Sequence, residues 1–129
     1  MQEVSPERIE EYRRKMEKLV VRKGFHFNKD RQMVNDLLKS LLINMDRYGY
    51  ASCPCRLASG EYSLDRDIIC PCVYAAPDIE EYGSCYCTLY VSKEWKEDRI
   101  PHVYVPERRP PEKVEAGLKA MAGQKQERS

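Results

Sequence analysis

A chain of 129 residues has room for one domain, and 42% hydrophobic with 33% charged residues is typical of a globular protein with a modest core. The formal net charge of +1 provides no overall field that would attract nucleic acid or an acidic membrane. Apolar stretches such as Leu41–Ile43 are too short to span a bilayer, and the charged N-terminus lacks the apolar region of a secretory signal. We therefore expect a cytoplasmic protein, or one of an organelle interior, that binds neither nucleic acid nor membranes.

Two amphipathic helices are predicted in the first part of the chain. Ser5–Pro6 is a typical helix start, and Gly24 supplies a stop. A second helix is predicted to begin near Asn28 or Asp30 and to end at Gly49. Apolar residues at helical spacing predict the core face of both: Ile9, Tyr12, Met16, Leu19 and Val20 in the first, and Val34, Leu37, Leu38, Leu41, Leu42 and Met45 in the second.

From Tyr50 to Tyr90 the helical periodicity fades and turn-forming residues become frequent. A short helix is predicted to start at Ser63–Asp65, and another to cover Pro77–Tyr82 before a glycine. Thr88–Val91 is predicted as a short strand. The fold class that follows is mainly α, with short helices and little or no strand.

The last part of the chain is polar and charged. After Pro106 its apolar spacing is weak, with Val114, Leu118 and Met121 as the main apolar side chains. This composition predicts a tail or a loosely attached helix. We therefore divide the chain into a domain of residues 1–106 and a charged C-terminal tail of residues 107–129.

Cysteine usage is the most specific feature of the sequence. All six cysteines lie in three Cys-x-Cys pairs: Cys53-Pro54-Cys55, Cys70-Pro71-Cys72 and Cys85-Tyr86-Cys87. Stable structural disulfides are rare in reducing compartments, so clustered cysteines there indicate metal ligands or catalytic thiols. The segment that carries them has few aliphatic residues, and a bound cluster would have to supply much of its cohesion.

The number of thiols favours one metal centre over another. A structural zinc takes four ligands, commonly from pairs separated by two to four residues, whereas these pairs are separated by one. A cubane iron–sulfur centre also takes four thiolates, and it leaves the two cysteines that a redox-active disulfide needs. The count favours an iron–sulfur centre with a dithiol, and structural zinc remains the alternative.

At this point the sequence resembles a known family. The segment Arg47–Leu57, RYGYASCPCRL, followed by CPC and then by CYC, resembles the catalytic β chain of ferredoxin–thioredoxin reductase. The likeness extends over roughly residues 8 to 95, including GFHFNKD upstream. The resemblance implies a small single domain of short helices folded around a [4Fe–4S] cluster. Carried over by motif, the cluster ligands are Cys53, Cys70, Cys72 and Cys85, and the redox-active disulfide joins Cys55 to Cys87.

The resemblance also implies an activity. Ferredoxin would donate single electrons through the cluster to the Cys55–Cys87 disulfide, and a thioredoxin or a glutaredoxin-like protein would be the acceptor. Cys55 would attack the acceptor disulfide, and Cys87 would resolve the mixed disulfide. Two alternatives stay open: an iron–sulfur electron carrier, and a zinc-stabilised interaction module without reductase activity.

The chain departs from the plant-type pattern of this family. The spacer between the first two pairs is shorter, the next spacer is longer, and Tyr86 stands where the plant-type third pair has a catalytic histidine. These departures resemble the archaeal or anaerobic-bacterial branch, whose members work without the variable subunit. Because a phenol has a reference pKa near 10, we expect Tyr86 to contribute packing or a hydrogen bond near the cluster.

Several neighbouring residues carry weaker expectations. Arg56 either lowers the pKa of the adjacent Cys55 thiol or is a solvated surface charge. Trp95 is expected to pack in the core, and His26 is expected to be structural. Tyrosines are expected to pack around the cluster, namely Tyr48, Tyr50, Tyr74, Tyr82 and Tyr90.

Overall fold

The computed structural model of the chain describes residues 4–128 and the side chains of residues 4–123. Within the described residues, no helix has the length and apolar character needed to cross a membrane. Helices and short strands follow in the order α1 (Pro6–Arg22), β1 (His26–Phe27), α2 (Arg31–Tyr48), α3 (Tyr62–Asp65), a 3-10 turn (Arg66–Ile68), α4 (Ala75–Tyr82), β2 (Tyr90–Val91), α5 (Lys93–Lys96) and α6 (Pro111–Arg128). The predicted mainly α class with little strand is confirmed.

The two long N-terminal helices, α1 and α2, form a helical hairpin whose ends follow the sequence signals. The Ser5 hydroxyl accepts a hydrogen bond from the Arg8 amide at 3.2 Å, and the Asp30 carboxylate caps α2. At the end of α2, Gly49 has a φ of 87°, a left-handed conformation that glycine adopts without strain. The predicted starts and the glycine stop of α2 are therefore confirmed.

The apolar faces of α1 and α2 pack together into the main core. Val20, Leu38 and Leu41 are completely buried, as the helical spacing predicts. Leu37 and Met45 are half-buried against the same core. The prediction is wrong for Leu19, which is 36% exposed because it lies toward the edge of the apolar face.

A two-stranded antiparallel ladder connects the helical hairpin to the third cysteine pair. His26 pairs with Val91 and Phe27 pairs with Tyr90. The Phe27 and Tyr90 rings stack with centroids 5.9 Å apart. Tyr90 belongs both to this ladder and to the cysteine-bearing segment, so the core of the hairpin continues directly into that segment.

The remaining short helices lie close to their predicted positions. α3 covers the predicted Ser63–Asp65 start, and α4 begins at Ala75, slightly before the predicted Pro77. α4 ends at Gly83, whose φ is 87° and where a Cβ atom would lie 2.6 Å from Ile100. Glycine is therefore required there by backbone conformation and by space.

Residues near Trp95 form a small packed unit around α5. The Trp95 side chain is 7% exposed, which confirms the expected packing role. Its indole stacks on the His102 ring with centroids 3.5 Å apart, and His102 Nε2 is 2.8 Å from the Trp95 carbonyl. The Trp95 side chain of this unit lies next to Gly83.

Three consecutive residues connect the predicted tail to the domain, and we call Glu107–Arg109 the anchor segment. Each forms an ion pair with a different part of the chain: Glu107 with Arg56, Arg108 with Asp78 and Glu81, and Arg109 with Asp67. α6 follows and packs against α3, with Gly117 close to Ser59. These contacts join the two predicted parts, and the division at Pro106 stays a prediction.

Candidate functional site

Backbone hydrogen bonds bring the first two cysteine pairs together after α2. The Cys53 amide donates to the Ile68 carbonyl at 2.7 Å, and the Cys70 amide donates to the Ala51 carbonyl at 2.8 Å. Between them Ser52 and Ile69 form an isolated antiparallel bridge. The segment before one pair therefore lies directly beside the segment before the other.

The third pair lies on a tight turn between α4 and β2. The Cys85 amide donates to the Tyr90 carbonyl, and the Thr88 amide donates to the Cys85 carbonyl, both at 2.9 Å. Thr88 has a φ of 58°, so the chain reverses there through a left-handed residue. This turn points Cys85 and Cys87 toward the other two pairs.

The thiols converge on one cavity, which we call the cysteine cavity. Its walls include five cysteines: Cys53, Cys70, Cys72, Cys85 and Cys87. The cavity has about 240 Å³ of space between atoms, part of it open to solvent. The sixth cysteine, Cys55, follows Cys53 by two residues, and the neighbouring Cys53 thiol raises its pKa. Every cysteine predicted to belong to the site is therefore brought to one place.

The six thiols differ in exposure. Cys53 and Cys85 are buried, and Cys70, Cys72 and Cys87 are partly buried. Cys55 is exposed. The sulfur atoms of Cys85 and Cys87 are 3.9 Å apart. A second protein can therefore reach Cys55 directly, whereas the other five thiols face the interior.

Burial and mutual hydrogen bonds separate the acidities of the thiols. Burial raises the pKa of Cys70 and of Cys72. Hydrogen bonds from Cys55 and Cys87 lower the pKa of Cys53, and the same contacts with Cys53 raise the pKa of Cys55 and of Cys87. These contacts favour the thiolate at Cys53, and a hydrogen bond from Cys87 likewise lowers the pKa of Cys85.

Arg56 is a buried cation at the mouth of the cysteine cavity. Its Nη1 atom is 3.5 Å from the Cys72 sulfur and 3.9 Å from the Cys53 sulfur. The guanidinium forms an ion pair with Glu107 at 2.7 Å and lies over the Tyr86 ring, 4.5 Å from its centroid. The interpretation of Arg56 as a solvated surface charge is therefore wrong.

The local charges around Arg56 favour its protonated form. Burial alone would lower the pKa of Arg56, but the hydrogen bonds that it donates to Glu107 and the nearby thiols Cys72 and Cys53 raise that pKa above its usual range. The pKa of Cys55 is raised, chiefly by the neighbouring Cys53 thiol, so the expectation that Arg56 lowers it is not met. Arg56 is thus a fixed positive charge next to Cys53 and Cys72.

Tyr90 contacts two of the predicted cluster ligands. Its hydroxyl is 3.0 Å from the Cys70 sulfur, and its amide donates to the Cys85 sulfur at 3.4 Å. Tyr74 also packs beside Cys53, as predicted. Tyr48 and Tyr50 instead stack on each other away from the cysteine cavity, and Tyr82 lines a different surface, so the packing prediction is wrong for these three.

Buried carboxylates support the segments that carry the cysteines. Asp65 is completely buried and accepts hydrogen bonds from the Ser59 amide and hydroxyl and from the Tyr50 hydroxyl. Asp67 accepts from Arg109 Nε at 2.8 Å and from the Tyr74 hydroxyl at 2.7 Å. Burial opposes ionisation of Asp67, but these two donors outweigh it and lower its pKa.

Sequence reasoning did not identify these supporting residues. Glu107 and Arg109 fell within the predicted tail, and Asp67 had no assigned role. One feature of the sequence indicated such residues. The cysteine segment has few aliphatic residues, so charged residues can be expected to be buried near it, and a buried charge needs a partner. The sequence did not indicate which partners they would find.

The donor set of the cysteine cavity is suited to an iron–sulfur cluster. Four thiols, those of Cys53, Cys70, Cys72 and Cys85, line one cavity, and thiolate sulfur is the usual ligand of a cubane. Among the side chains of residues 4–123, no three His, Cys, Asp or Glu residues form a site for a single metal ion.

The fold and the site together define a class: small helical oxidoreductases that act through clustered cysteine thiols. The sequence matches the family model of the ferredoxin thioredoxin reductase catalytic beta chain over residues 2–108, and the chain belongs to this family. The resemblance seen in the cysteine motifs is thereby confirmed. A search of curated proteins finds no match. The family is one of oxidoreductases that act on disulfides and bind an iron–sulfur cluster.

Proposed function

We propose that this protein is a ferredoxin-dependent disulfide reductase of the cytoplasm, acting on a thioredoxin or a glutaredoxin-like protein. In this proposal Cys53, Cys70, Cys72 and Cys85 hold a [4Fe–4S] cluster, and Cys55 and Cys87 are the redox-active pair. One observation carries it: Cys55 is the exposed cysteine, whereas the other five cysteines line one cavity.

The arrangement suits a reaction that joins one-electron and two-electron chemistry. When bound, the cluster supplies electrons singly to a disulfide whose reduction takes two. Arg56 provides positive charge and N–H donors to Cys53 and Cys72. Tyr90 fixes Cys70 and Cys85 through its hydroxyl and its amide. These contacts hold the predicted ligands in place and limit access of water to them.

The thiol exchange follows from the different exposure of the two remaining cysteines. The Cys55 thiolate attacks the acceptor disulfide, forms a mixed disulfide and expels one acceptor thiolate. The Cys87 thiolate then attacks Cys55, forms the Cys55–Cys87 disulfide and releases the second acceptor thiolate. Two electrons pass to the acceptor, and the Cys55–Cys87 disulfide must be reduced again before the next turnover. Exposure of Cys55 and partial burial of Cys87 support this order.

The proposal also states whether the protein needs another subunit. Tyr86 and the altered spacers resemble the archaeal or anaerobic-bacterial branch of the family, and this resemblance supports action without a variable subunit. The alternatives make different predictions: a zinc-stabilised module is colourless, and a simple electron carrier is coloured but reduces no disulfide. Iron and sulfide analysis of anaerobically purified protein distinguishes the first from the proposal.

The test of the proposal is reduction of a thioredoxin by reduced ferredoxin with this protein as mediator. We expect turnover that Cys55→Ser and Cys87→Ser both abolish. In addition, Cys87→Ser should accumulate a mixed disulfide with a thioredoxin that lacks its own resolving cysteine. Mass spectrometry should find the thioredoxin on Cys55; attachment to another cysteine would show that the roles are wrongly assigned.

A further inference from the structure

A groove lies on the surface beside the exposed thiol, and we call it the Cys55 groove. Its apolar lining comes from Leu57, which forms one wall, and from Val114, Leu118 and Met121, which form the α6 wall. The charged side chains of Arg56, Glu107 and Arg109 also line it. Counted out to its solvent opening, the groove has about 480 Å³ of space. Leu57 is 60% exposed and Leu118 is 49% exposed. Leu57 and Leu118 therefore expose apolar surface to solvent in the groove that Cys55 also lines.

The wall formed by α6 lies outside the region that the family model matches. The family match ends at residue 108, whereas α6 begins at Pro111. The anchor segment immediately before α6 fixes its start, since Glu107 pairs with Arg56 and Arg109 pairs with buried Asp67. Buried ion pairs of this kind hold a fixed geometry, because each charge would be unpaired if the segment moved.

We propose that α6 and Leu57 are the docking walls for the acceptor protein, and that this acceptor presents apolar residues around its disulfide. The inference rests on the proposed function, because a disulfide requires the two Cα atoms to lie about 4.4–6.8 Å apart. An acceptor joined to Cys55 must therefore place the neighbours of its own cysteine in the Cys55 groove. The charged lining residues are already paired within the chain, Arg56 with Glu107 and Arg109 with Asp67. The exposed apolar side chains are therefore matched by an apolar occupant, since polar groups buried against them would lose hydrogen bonds to water.

Docking in the Cys55 groove does not change the reactants of the proposed thiol exchange. The S–S bond that forms joins Cys55 to the acceptor, and the S–S bond that breaks lies within the acceptor. The electron pair leaves on the second acceptor sulfur, and Cys87 later supplies the thiolate that breaks the mixed disulfide. The role of α6 is to position the acceptor, and Leu118 is a docking residue that touches the acceptor surface.

The experiment compares two substrates for each variant, an oxidised thioredoxin and bis(2-hydroxyethyl) disulfide, with reduced ferredoxin as donor. The small disulfide is too short to contact both walls. For Leu118→Ser, we expect the ratio of kcat/KM for thioredoxin to that for the small disulfide to fall roughly five- to tenfold through a higher KM, as loss of most of a buried leucine contact predicts. Leu57→Ser should lower the ratio similarly, and removal of residues 111–129 should lower it at least as far.

Leu19→Ser is the matched control, because Leu19 is a partly exposed leucine on a helix that does not line the groove. Its ratio should equal that of the unmodified protein. An unchanged ratio in Leu118→Ser, or a higher one after removal of α6, overturns the inference, and the higher one identifies α6 as a cover over Cys55. If the unmodified protein reduces neither disulfide, the proposed function itself fails and the docking role fails with it.

Discussion

The helical hairpin and the cysteine region, residues 50–109, are stabilised by different kinds of interaction. The hairpin buries apolar side chains such as Val20, Leu38 and Leu41. The cysteine region also buries apolar side chains such as Ile68 and Leu89, but it adds buried charged side chains that have specific partners. These pairs are Asp67 with Arg109, Arg56 with Glu107, and Asp78 with Arg108. Apolar burial is non-directional, whereas a buried charge depends on one particular partner. The second region is therefore the one that a single substitution disturbs most specifically.

This difference follows from what each region has to do. A site for four thiols and a redox pair needs sulfur atoms at fixed positions, and hydrogen bonds fix positions better than apolar contacts do. The hairpin supplies the free energy of burial, about 25 cal/mol for each Å² of apolar surface removed from water. The ladder that pairs Phe27 with Tyr90 connects the core of the hairpin to the cysteine site.

The largest effect should come from removing a predicted ligand. Cys72→Ser should lose nearly all its iron and sulfide, and the cysteine region should fold poorly, because cluster binding and folding are coupled there. Chemical analysis of iron and sulfide measures the first effect, and near-UV circular dichroism measures the second. Cys55→Ser is the control and should keep a full complement of iron. A full complement in Cys72→Ser would contradict the ligand assignment.

The second prediction compares one contact from each region. Leu38→Ala should lower the free energy of unfolding by about 2–5 kcal/mol, through lost burial and a cavity, at every pH. Asp67→Asn should lower it by about 1–3 kcal/mol near pH 7, because Arg109 then lacks its ionic partner. Urea unfolding followed by far-UV circular dichroism gives both values.

The pH dependence of these two variants distinguishes the two regions. The pKa of Asp67 is lowered in the folded protein, so its contribution is complete above its unfolded pKa near 3.9 and is lost as pH falls through the lower folded pKa. The difference between the unmodified protein and Asp67→Asn should therefore stay constant from pH 7 down to about pH 5 and narrow as the pH falls below about 4. The Leu38→Ala difference should not change. Parallel curves for both variants would show that Asp67 contributes no ionic stabilisation.

The third prediction concerns the effect of Arg56 on the site. Removing its positive charge and its N–H donors should make the cluster harder to reduce, since both favour the more negative state. Arg56→Gln should lower the reduction potential on the order of 60 mV, which is tenfold for one electron, and Arg56→Lys should lower it less. A redox titration followed by electron paramagnetic resonance measures the shift. An equal or higher potential in Arg56→Gln would mean that Arg56 serves only the fold.

The smallest effect is expected at Tyr86. Burial and nearby Glu107 raise the pKa of Tyr86 above its usual value. Tyr86→Phe retains the ring beneath Arg56, so it should keep the cluster and most of the turnover. Tyr86→Ala removes the ring and should lose more. If Tyr86→Phe keeps a full cluster but loses nearly all turnover, its hydroxyl is the proton donor and the packing interpretation is wrong.

The sequence predicted the hairpin well because its signals are local. Capping residues, glycine stops and apolar spacing each act within one or two helical turns, and α1 and α2 begin and end where these signals lie. The six cysteines were equally clear, because their pairing is visible in the sequence itself. The division of these cysteines into four ligands and a redox pair comes from the family resemblance and stays a prediction.

The polar contacts of the cysteine region could not be predicted in the same way. Arg56 and Glu107 are 51 positions apart, and Arg109 and Asp67 are 42 apart. Ion pairing has no period along the chain, so nothing in the sequence selects one partner over another. For the same reason the tyrosines looked equivalent, although Tyr90 contacts two cysteines and Tyr50 contacts Asp65.

The anchor segment gives the folded protein a built-in protection against proteolysis. Trypsin cuts after arginine, but it must take the side chain into its own pocket, and Asp78 and Glu81 already bind that of Arg108. The bond after Arg109 is further protected because Pro110 follows it. Cleavage after Arg108 thus requires the anchor segment to open, and its rate measures how often this segment detaches from the rest of the domain.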